Sequence, residues 1–170
     1  MNLPVKYRVT IITLSDRASS GEYEDLSGPA IRKHLEDYFQ SINTDNEIKM
    51  VLIPDEADEL KKEMLIAAGA SDAIFTTGGT GIGPRDITVE TVRPFLTKEI
   101  PGVMEYIRVK YGSIKAGALL SCGIAGIINS KCLVYTLPGS LKAVNEYMPE
   151  IIRTLEHTFM MLYGIDSHGR

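Results

Sequence analysis

The sequence predicts a three-layer α/β domain with a mostly parallel sheet, helices on both faces and an antiparallel hairpin at one edge. Segments rich in β-branched residues alternate with amphipathic segments, which is typical of parallel strands connected by helices. The first strand-like segment is apolar on both faces, as expected of a sheet that is covered on two sides. A chain of 170 residues with 44% hydrophobic and 24% charged residues fits one domain, which we predict to span 1–170.

Hydrophobic periodicity and the positions of turn and cap residues predict the individual elements. The predicted strands are 7–15, 48–54 and 72–77, followed by two apolar runs within 118–138 that are joined at hairpin spacing by Asn129-Ser130-Lys131. The predicted helices are 28–39, 55–70, 88–96, 101–111 and a long amphipathic helix from Ser140, before a tail, DSHGR, that is expected to fray. Asp55 is a candidate N-cap and Gly69 a candidate C-cap of the second helix, and Pro94 is expected to disturb the third.

Composition limits the partners and the location. The net charge is −4 and Lys and Arg form no block, so we expect no nucleic-acid binding and a small-molecule ligand instead. No apolar run approaches the roughly 20 residues of a membrane span, and the first thirty residues lack the features of a signal peptide. We therefore expect a cytoplasmic protein without a membrane partner.

The cysteines and histidines carry no recognisable motif. Cys122 and Cys132 lie in apolar segments without Cys or His at metal-ligand spacing, which favours buried thiols over a redox role. His34, His157 and His168 are expected on helix surfaces and in the tail. We assign no chemistry to the three imidazoles.

Polar segments follow four of the predicted strands at their carboxyl ends. Ser15-Asp16-Arg17 follows the first, Asp55 the second, a glycine-rich loop the third, and Pro138-Gly139-Ser140 the last. In open α/β sheets ligands bind at this edge, because the loops diverge there and leave a crevice. The four segments therefore predict a single site.

The glycine-rich loop follows the third strand as TTGGTGIGPRD, from Thr76 to Asp86. Its glycines expose backbone N–H groups, the helix from about Thr88 adds a positive dipole end, and Thr76, Thr77 and Thr80 can add hydroxyl donors, which together suit phosphate. The loop is neither a Walker A motif nor a dinucleotide fingerprint. A plain tight turn at Gly78-Gly79 is the alternative reading.

Three aspartates lie at neighbouring strand ends: Asp16, Asp55 and Asp86. A carboxylate beside a phosphate is repulsive unless a cation offsets it, so Mg²⁺ bridging Asp86 and phosphate oxygens is the functional interpretation. Arg17 and Arg85 are candidates for holding anionic groups. The alternative is that Asp55 and Asp86 merely cap the helices that follow them.

Four blocks in order, LSDRASSGEYEDLSGPAI, IPDE, TTGGTGIGPRDIT and LPGS, resemble the molybdopterin adenylyltransferase family of molybdenum cofactor biosynthesis. The resemblance covers nearly the whole chain. It implies a three-layer, usually trimeric α/β protein that transfers AMP from Mg-ATP to molybdopterin, releases pyrophosphate and passes the product to a molybdate insertase.

The resemblance also implies roles for individual residues. Asp55 and Asp86 would be the essential carboxylates, acting on Mg²⁺ or on the orientation of the phosphates. The candidate substrate-binding residues are Ser15, Asp16, Arg17, Thr76, Thr77, Gly78, Gly79, Thr80, Gly81, Arg85, Pro138, Gly139 and Ser140. Two alternatives remain, a molybdopterin carrier or scaffold without adenylyl transfer, and a nucleotide-binding regulatory module.

Overall fold

A six-stranded sheet runs through the middle of the protein in the order β2-β1-β3-β6-β5-β4. The computed structural model describes residues 4–165. The strands are β1 (Lys6–Leu14), β2 (Asp45–Ile53), β3 (Ala73–Thr77), β4 (Lys98–Glu99), β5 (Ala125–Ile128) and β6 (Cys132–Leu137). The helices are α1 (Asp16–Ser19), α2 (Ser27–Ser41), α3 (Ala57–Ala70), α4 (Thr88–Val92), α5 (Pro101–Gly112) and α6 (Leu141–Leu162), with short 3₁₀ helices at Arg93–Phe95 and Ala116–Leu120.

Strands β2, β1, β3 and β6 are mutually parallel, and the other edge of the sheet is antiparallel. The β5–β6 hairpin turns at Asn129 and Ser130, which both have positive φ, 50° and 58°. β4 pairs antiparallel with β5 and extends this edge by one short strand that the sequence did not predict. The predicted fold class, including the antiparallel edge hairpin, is confirmed.

Helices cover the sheet on both faces, so the buried side chains of β1 are divided between two cores. Tyr7, Val9 and Ile11 pack into one core with α2, α5 and α6. Ile12 and Leu14 pack into the opposite core with α3 and α4. Two cores on either side of one strand explain why the first strand-like segment has apolar residues on both faces.

Three predictions about helix ends are corrected or refined by the structure. α3 begins at Ala57, and Glu56 rather than Asp55 holds the capping position, without a side-chain hydrogen bond. α3 continues through Gly69 to Ala70, so Gly69 is not the C-cap. The α-helix predicted at 88–96 stops after Val92 and continues as a 3₁₀ helix that contains Pro94, because a proline supplies no N–H for an α-helical bond.

Only one of the two cysteines is buried as predicted. Cys132 begins β6 in the core, and burial raises the pKa of its thiol to about 12. Cys122 is exposed, because the apolar run before it forms a 3₁₀ helix at the surface instead of a strand. His34 lies with Nε2 at 2.9 Å from the side-chain oxygen of Asn145 and His157 is exposed, whereas His168 and the tail lie outside the described residues.

The described helices are all too short or too polar to cross a membrane.

Candidate active site at the carboxyl edge of the sheet

The register of the parallel strands brings the four predicted segments to one edge. Leu14 pairs with Ile53, so the segments that follow β1 and β2 leave the sheet side by side. Thr77 of β3 pairs with Leu137 of β6, so the glycine-rich loop and the Pro138-Gly139-Ser140 segment are also neighbours. All four segments therefore leave the sheet at one edge, as their positions after the strands predicted.

An open cavity of about 530 Å³ lies at this edge, lined by residues of the segments that follow β2, β3 and β6. Ten of the predicted site residues line it: Asp55, Gly78, Gly79, Thr80, Gly81, Arg85, Asp86, Pro138, Gly139 and Ser140. The sequence reasoning missed other lining residues, namely Leu14, Tyr23, Ile82, Lys115, Gly117, Ala118, Leu120, Ser121, Lys142, Ala143, Glu146 and Tyr147. The missed wall comes mainly from the 3₁₀ segment before β5 and the first two turns of α6.

The first two glycines of the loop are required by backbone geometry. Gly78 has φ +101°, and a Cβ there would lie 2.2 Å from the carbonyl oxygen of Leu14. Gly79 has φ +60°, and a Cβ there would lie 2.6 Å from Oγ1 of Thr88. Thr88 fixes the turn, since its hydroxyl donates to the carbonyl of Gly78 at 2.8 Å and its N–H to that of Gly79 at 3.0 Å. The tight turn at Gly78 and Gly79 therefore forms part of the cavity wall, so the tight-turn alternative and the predicted site describe the same loop.

Two expected sources of phosphate donors are not available at the cavity. Thr76 and Thr77 are completely buried within β3 and do not line the cavity, and the Thr77 hydroxyl donates to the carbonyl of Pro138 at 2.9 Å. α4 is only five residues long, and its first N–H, from Thr88, is already bonded to the loop. Thr80, although buried, is the one predicted threonine that reaches the cavity wall.

Asp55 and Asp86 both line the cavity, and neither caps the helix that follows it. Asp86 folds back onto its own loop, and its Oδ2 accepts from the N–H of Gly83 at 2.8 Å. Asp55 accepts at Oδ2 from the N–H of Asp16 at 3.0 Å. The capping alternative is therefore wrong for both residues, whose carboxylates are available at the site.

The environment of Asp55 raises the pKa of its carboxyl above the ordinary value. Burial is the largest cause, and the negative charges of Asp16 and Asp86 act in the same direction. The N–H of Asp16 and the guanidinium of Arg85 oppose the increase. A carboxyl that is partly buried and close to other negative charges would gain from a bound cation.

Ser15, Asp16 and Arg17, which were predicted to bind substrate, follow β1 but do not line this cavity. The Ser15 hydroxyl accepts from the N–H of Ala18 at 3.2 Å and so caps α1. The guanidinium of Arg17 lies 5.0 Å from the centre of the Tyr23 ring. All three polar groups are therefore engaged within the protein, Asp16 through contacts described below.

Three cationic side chains line the cavity together with the two carboxylates. Arg85, Lys115 and Lys142 all line the cavity. Lys142 lies 3.7 Å from Glu146, one turn further along α6, whereas Lys115 makes no salt bridge with the described residues. Lys115 could not be found from sequence, because it lies in a connection between α5 and the hairpin with no recognisable spacing to the four blocks.

Mg²⁺ fits this donor set only together with substrate oxygens. Among residues 4–165, no group of three or more His, Cys, Asp or Glu side chains is arranged to hold a metal ion. Mg²⁺ is commonly bound by one or two carboxylates, with phosphate oxygens and water completing its shell. The Asp55 and Asp86 carboxylates at the cavity match that arrangement.

These features define an α/β protein with a ligand cleft rimmed by glycine backbone, carboxylates and cations. A sequence model of the probable molybdopterin binding domain matches residues 10–157. The chain therefore belongs to this family, and the resemblance carried by its four sequence blocks is confirmed.

Named relatives and solved structures agree with this assignment. The molybdopterin adenylyltransferase of Helicobacter pylori J99 is 34% identical over 158 residues, which are 92% of this chain and 88% of the relative. That of Pyrococcus furiosus is 36% identical over 159 residues, covering 89% and 88%. The crystal structure of the molybdopterin biosynthesis enzyme MoaB from Thermus thermophilus superposes with a TM-score of 0.80 at 34% identity, covering 93% of this chain and 97% of that one. Both adenylyltransferases are nucleotidyltransferases by name, in agreement with the predicted enzyme class.

Proposed function

We propose that this protein is a molybdopterin adenylyltransferase, which transfers AMP from Mg-ATP to the terminal phosphate of molybdopterin and releases pyrophosphate. The observation that carries the proposal is the pair of carboxylates, Asp55 and Asp86, on the wall of a cavity that also holds the glycine loop and three cations. The named relatives support the same reaction.

The reaction fits a site that lacks a Ser–His or Cys–His pair to serve as an activated nucleophile. None of the described residues lining the cavity is a His or a Cys. A phosphate dianion is already a nucleophile at neutral pH, so attack on the α-phosphorus of ATP needs no general base. The bond from the α-phosphorus to the bridging oxygen breaks, and pyrophosphate carries away the negative charge. Alignment and charge neutralisation are the tasks left to the protein.

The lining residues divide those tasks between them. Gly79 and Gly81 line the cavity and carry no side chains, which lets phosphate oxygens approach the backbone of the loop closely. Arg85, Lys115 and Lys142 supply positive charge for the phosphates of both substrates. Asp55 and Asp86 orient the phosphates or hold Mg²⁺, which when bound would neutralise charge between the two phosphate groups.

Pyrophosphate release tests the proposal directly. Purified protein is incubated with molybdopterin and Mg-ATP, alongside Asp55→Asn, Asp86→Asn and the control Asp58→Asn. Asp58 is an aspartate in the first turn of α3 whose side chain is 96% exposed, so its replacement removes a charge without touching the cavity. We expect Asp55→Asn and Asp86→Asn to lose about a hundredfold or more in turnover while remaining folded, and Asp58→Asn to match the wild type.

Other outcomes would redirect the interpretation. A fully active Asp86→Asn protein would remove that residue from the mechanism. Folded wild-type protein that binds molybdopterin but releases no pyrophosphate would instead be a carrier. ATP binding that is independent of molybdopterin and of both aspartates would identify a nucleotide-binding regulatory module.

The proposal includes a homotrimer in the cytoplasm that makes transient contact with a molybdate insertase. Five apolar side chains between positions 106 and 120 are exposed in the single chain: Tyr106, Val109, Ile114, Leu119 and Leu120. Apolar surface of this kind is common where subunits meet. Sedimentation equilibrium should give three times the 18.7 kDa chain mass, and a monomer at all concentrations would contradict the trimer.

A further inference from the structure

Asp16 and Asp55 exchange hydrogen bonds across the ends of two neighbouring strands. The N–H of Asp16 donates to Oδ2 of Asp55 at 3.0 Å, and the N–H of Asp55 donates to Oδ1 of Asp16 at 2.9 Å. Beside them, the N–H of Ser15 donates to the carbonyl of Ile53 at 2.9 Å and extends the β1–β2 ladder. The loops after β1 and β2 are thereby tied together at the aspartate that the mechanism uses.

This exchange divides the two carboxylate oxygens of Asp55 between different tasks. Oδ2 is occupied by the N–H of Asp16. Oδ1 lies on the side of the glycine loop, where a Cβ built on Gly79 would be 3.6 Å from it. One oxygen is therefore anchored, and the other faces the wall where the phosphates are proposed to bind.

Asp16 is in turn held from outside by Arg85. Nη2 of Arg85 donates to both carboxylate oxygens of Asp16, at 2.9 and 2.7 Å, and Nε donates to Oδ2 at 3.2 Å. The same guanidinium donates to Oε1 of Glu56 at 3.2 Å. Arg85 also lines the cavity, so the carboxylate of Asp16 connects a cation of the cavity wall to the backbone of Asp55.

We propose that Asp16 is a positioning residue for adenylyl transfer, which acts through Asp55 and Arg85 without contacting substrate. It fixes the backbone of Asp55 so that Oδ1 faces the glycine loop, and it keeps the Arg85 guanidinium at the cavity rim. The inference rests on the proposed function and replaces the direct binding role that the sequence predicted for Asp16.

Amide exchange tests the contact itself, independently of catalysis. In Asp16→Ala the acceptor for the N–H of Asp55 is lost, whereas in Asp16→Asn the amide oxygen can still accept it. We expect the Asp55 N–H to exchange about tenfold faster in Asp16→Ala and at nearly the wild-type rate in Asp16→Asn, with the β3 amides unchanged in both. Equal exchange in the wild type and in Asp16→Ala would overturn the proposal.

Steady-state kinetics then separate positioning from binding. We expect kcat to fall about ten- to a hundredfold in Asp16→Ala, with KM for ATP and molybdopterin within about threefold, because the bound substrates would meet a misplaced carboxylate. Asp16→Asn should retain at least half of the wild-type kcat, and Asp58→Asn should match the wild type.

Two kinetic outcomes would contradict this role. A raised KM with unchanged kcat would make Asp16 a binding residue, and equal losses of kcat in Asp16→Ala and Asp16→Asn would assign its effect to charge alone. Either result overturns the positioning role. If the wild type releases no pyrophosphate, the proposed function fails, and the exchange measurement still decides the contact.

Discussion

Gly78 is the residue at which backbone geometry and the candidate site depend on each other most strongly. Its φ of +101° suits glycine alone, and a Cβ would collide with the Leu14 carbonyl at 2.2 Å. We expect Gly78→Ala to destabilise the fold by about 2 kcal/mol or more, measured by chemical denaturation. Gly69→Ala is the matched control, since Gly69 lies in α3 with open space around it and should gain up to about 1 kcal/mol. Wild-type stability in Gly78→Ala would contradict this account of the loop.

Single residues could be predicted from sequence where position in the fold decides their role. Asp55 and Asp86 follow strand ends, and both reach the cavity. Thr76 and Thr77 do not reach the cavity, because every side chain of strand β3 is buried between the two helix layers whatever its polarity. The sequence predicted the sheet edge at which Asp16 lies, but it did not predict the partners of Asp16. Asp55 and Arg85 are 39 and 69 residues away, and their contacts with Asp16 depend on tertiary packing that local sequence patterns do not encode.

Helix α2 shows how a turn before an element fixes its start. Oδ1 of Asp25 accepts from the N–H groups of Ser27 and Gly28 at 2.9 and 3.0 Å, and Oδ2 accepts from the hydroxyl of Thr13 at 2.7 Å. We expect Asp25→Ala to lose about 1–2 kcal/mol of unfolding free energy, because the first turn of α2 then lacks its acceptor. Asp25→Asn, which retains an acceptor oxygen, should lose less in the same denaturation experiment. Equal stability of the alanine variant and the wild type would show that the cap is dispensable.

The elements themselves were largely predictable, since their periodicity is strong. β1, β2, α2, α3 and α6 all occur close to their predicted bounds. The exceptions are short elements that depend on neighbours: β4 exists only because Lys98 and Glu99 can pair with β5. The apolar run before the hairpin carried the same composition as a strand, but residues 116–120 formed a 3₁₀ helix that lines the cavity.

At the scale of the whole molecule, Glu150 joins α5 to α6. Its side chain is 7% exposed, Oε1 accepts from Lys110 at 2.5 Å and Oε2 from Arg153 at 3.0 Å. The hydrogen bond from Lys110 is the main reason that the pKa of Glu150 lies below its ordinary value, and Arg153 adds to the effect while burial opposes it. A carboxyl whose pKa is lowered on folding stabilises the protein above its unfolded pKa, and the stabilisation is lost as pH falls through the folded pKa.

Replacing Glu150 by Gln should therefore have an effect that depends on pH. At pH 7 we expect the free energy of unfolding of the variant to be about 1–2 kcal/mol lower than that of the wild type. This difference should become smaller as pH falls below about 4.3, the ordinary pKa of Glu. Denaturation curves at a fixed protein concentration, recorded from neutral to acidic pH, measure the difference. Glu36→Gln, which breaks an exposed pair with Arg32 on α2, is the control and should change stability little at any pH. A constant difference across the pH range would contradict the role of the charge.

The pairing of Leu14 with Ile53 restricts the chain length directly after β2 more strongly than the chain length before β2. Asp16 and Asp55 each lie two positions beyond these paired residues, and only equal spacing lets their backbones exchange hydrogen bonds. One residue inserted between Ile53 and Asp55 would point the carboxylate elsewhere, whereas one inserted between α2 and β2 would leave the pair intact. Natural length variation should therefore be tolerated ahead of β2 and eliminated directly behind it.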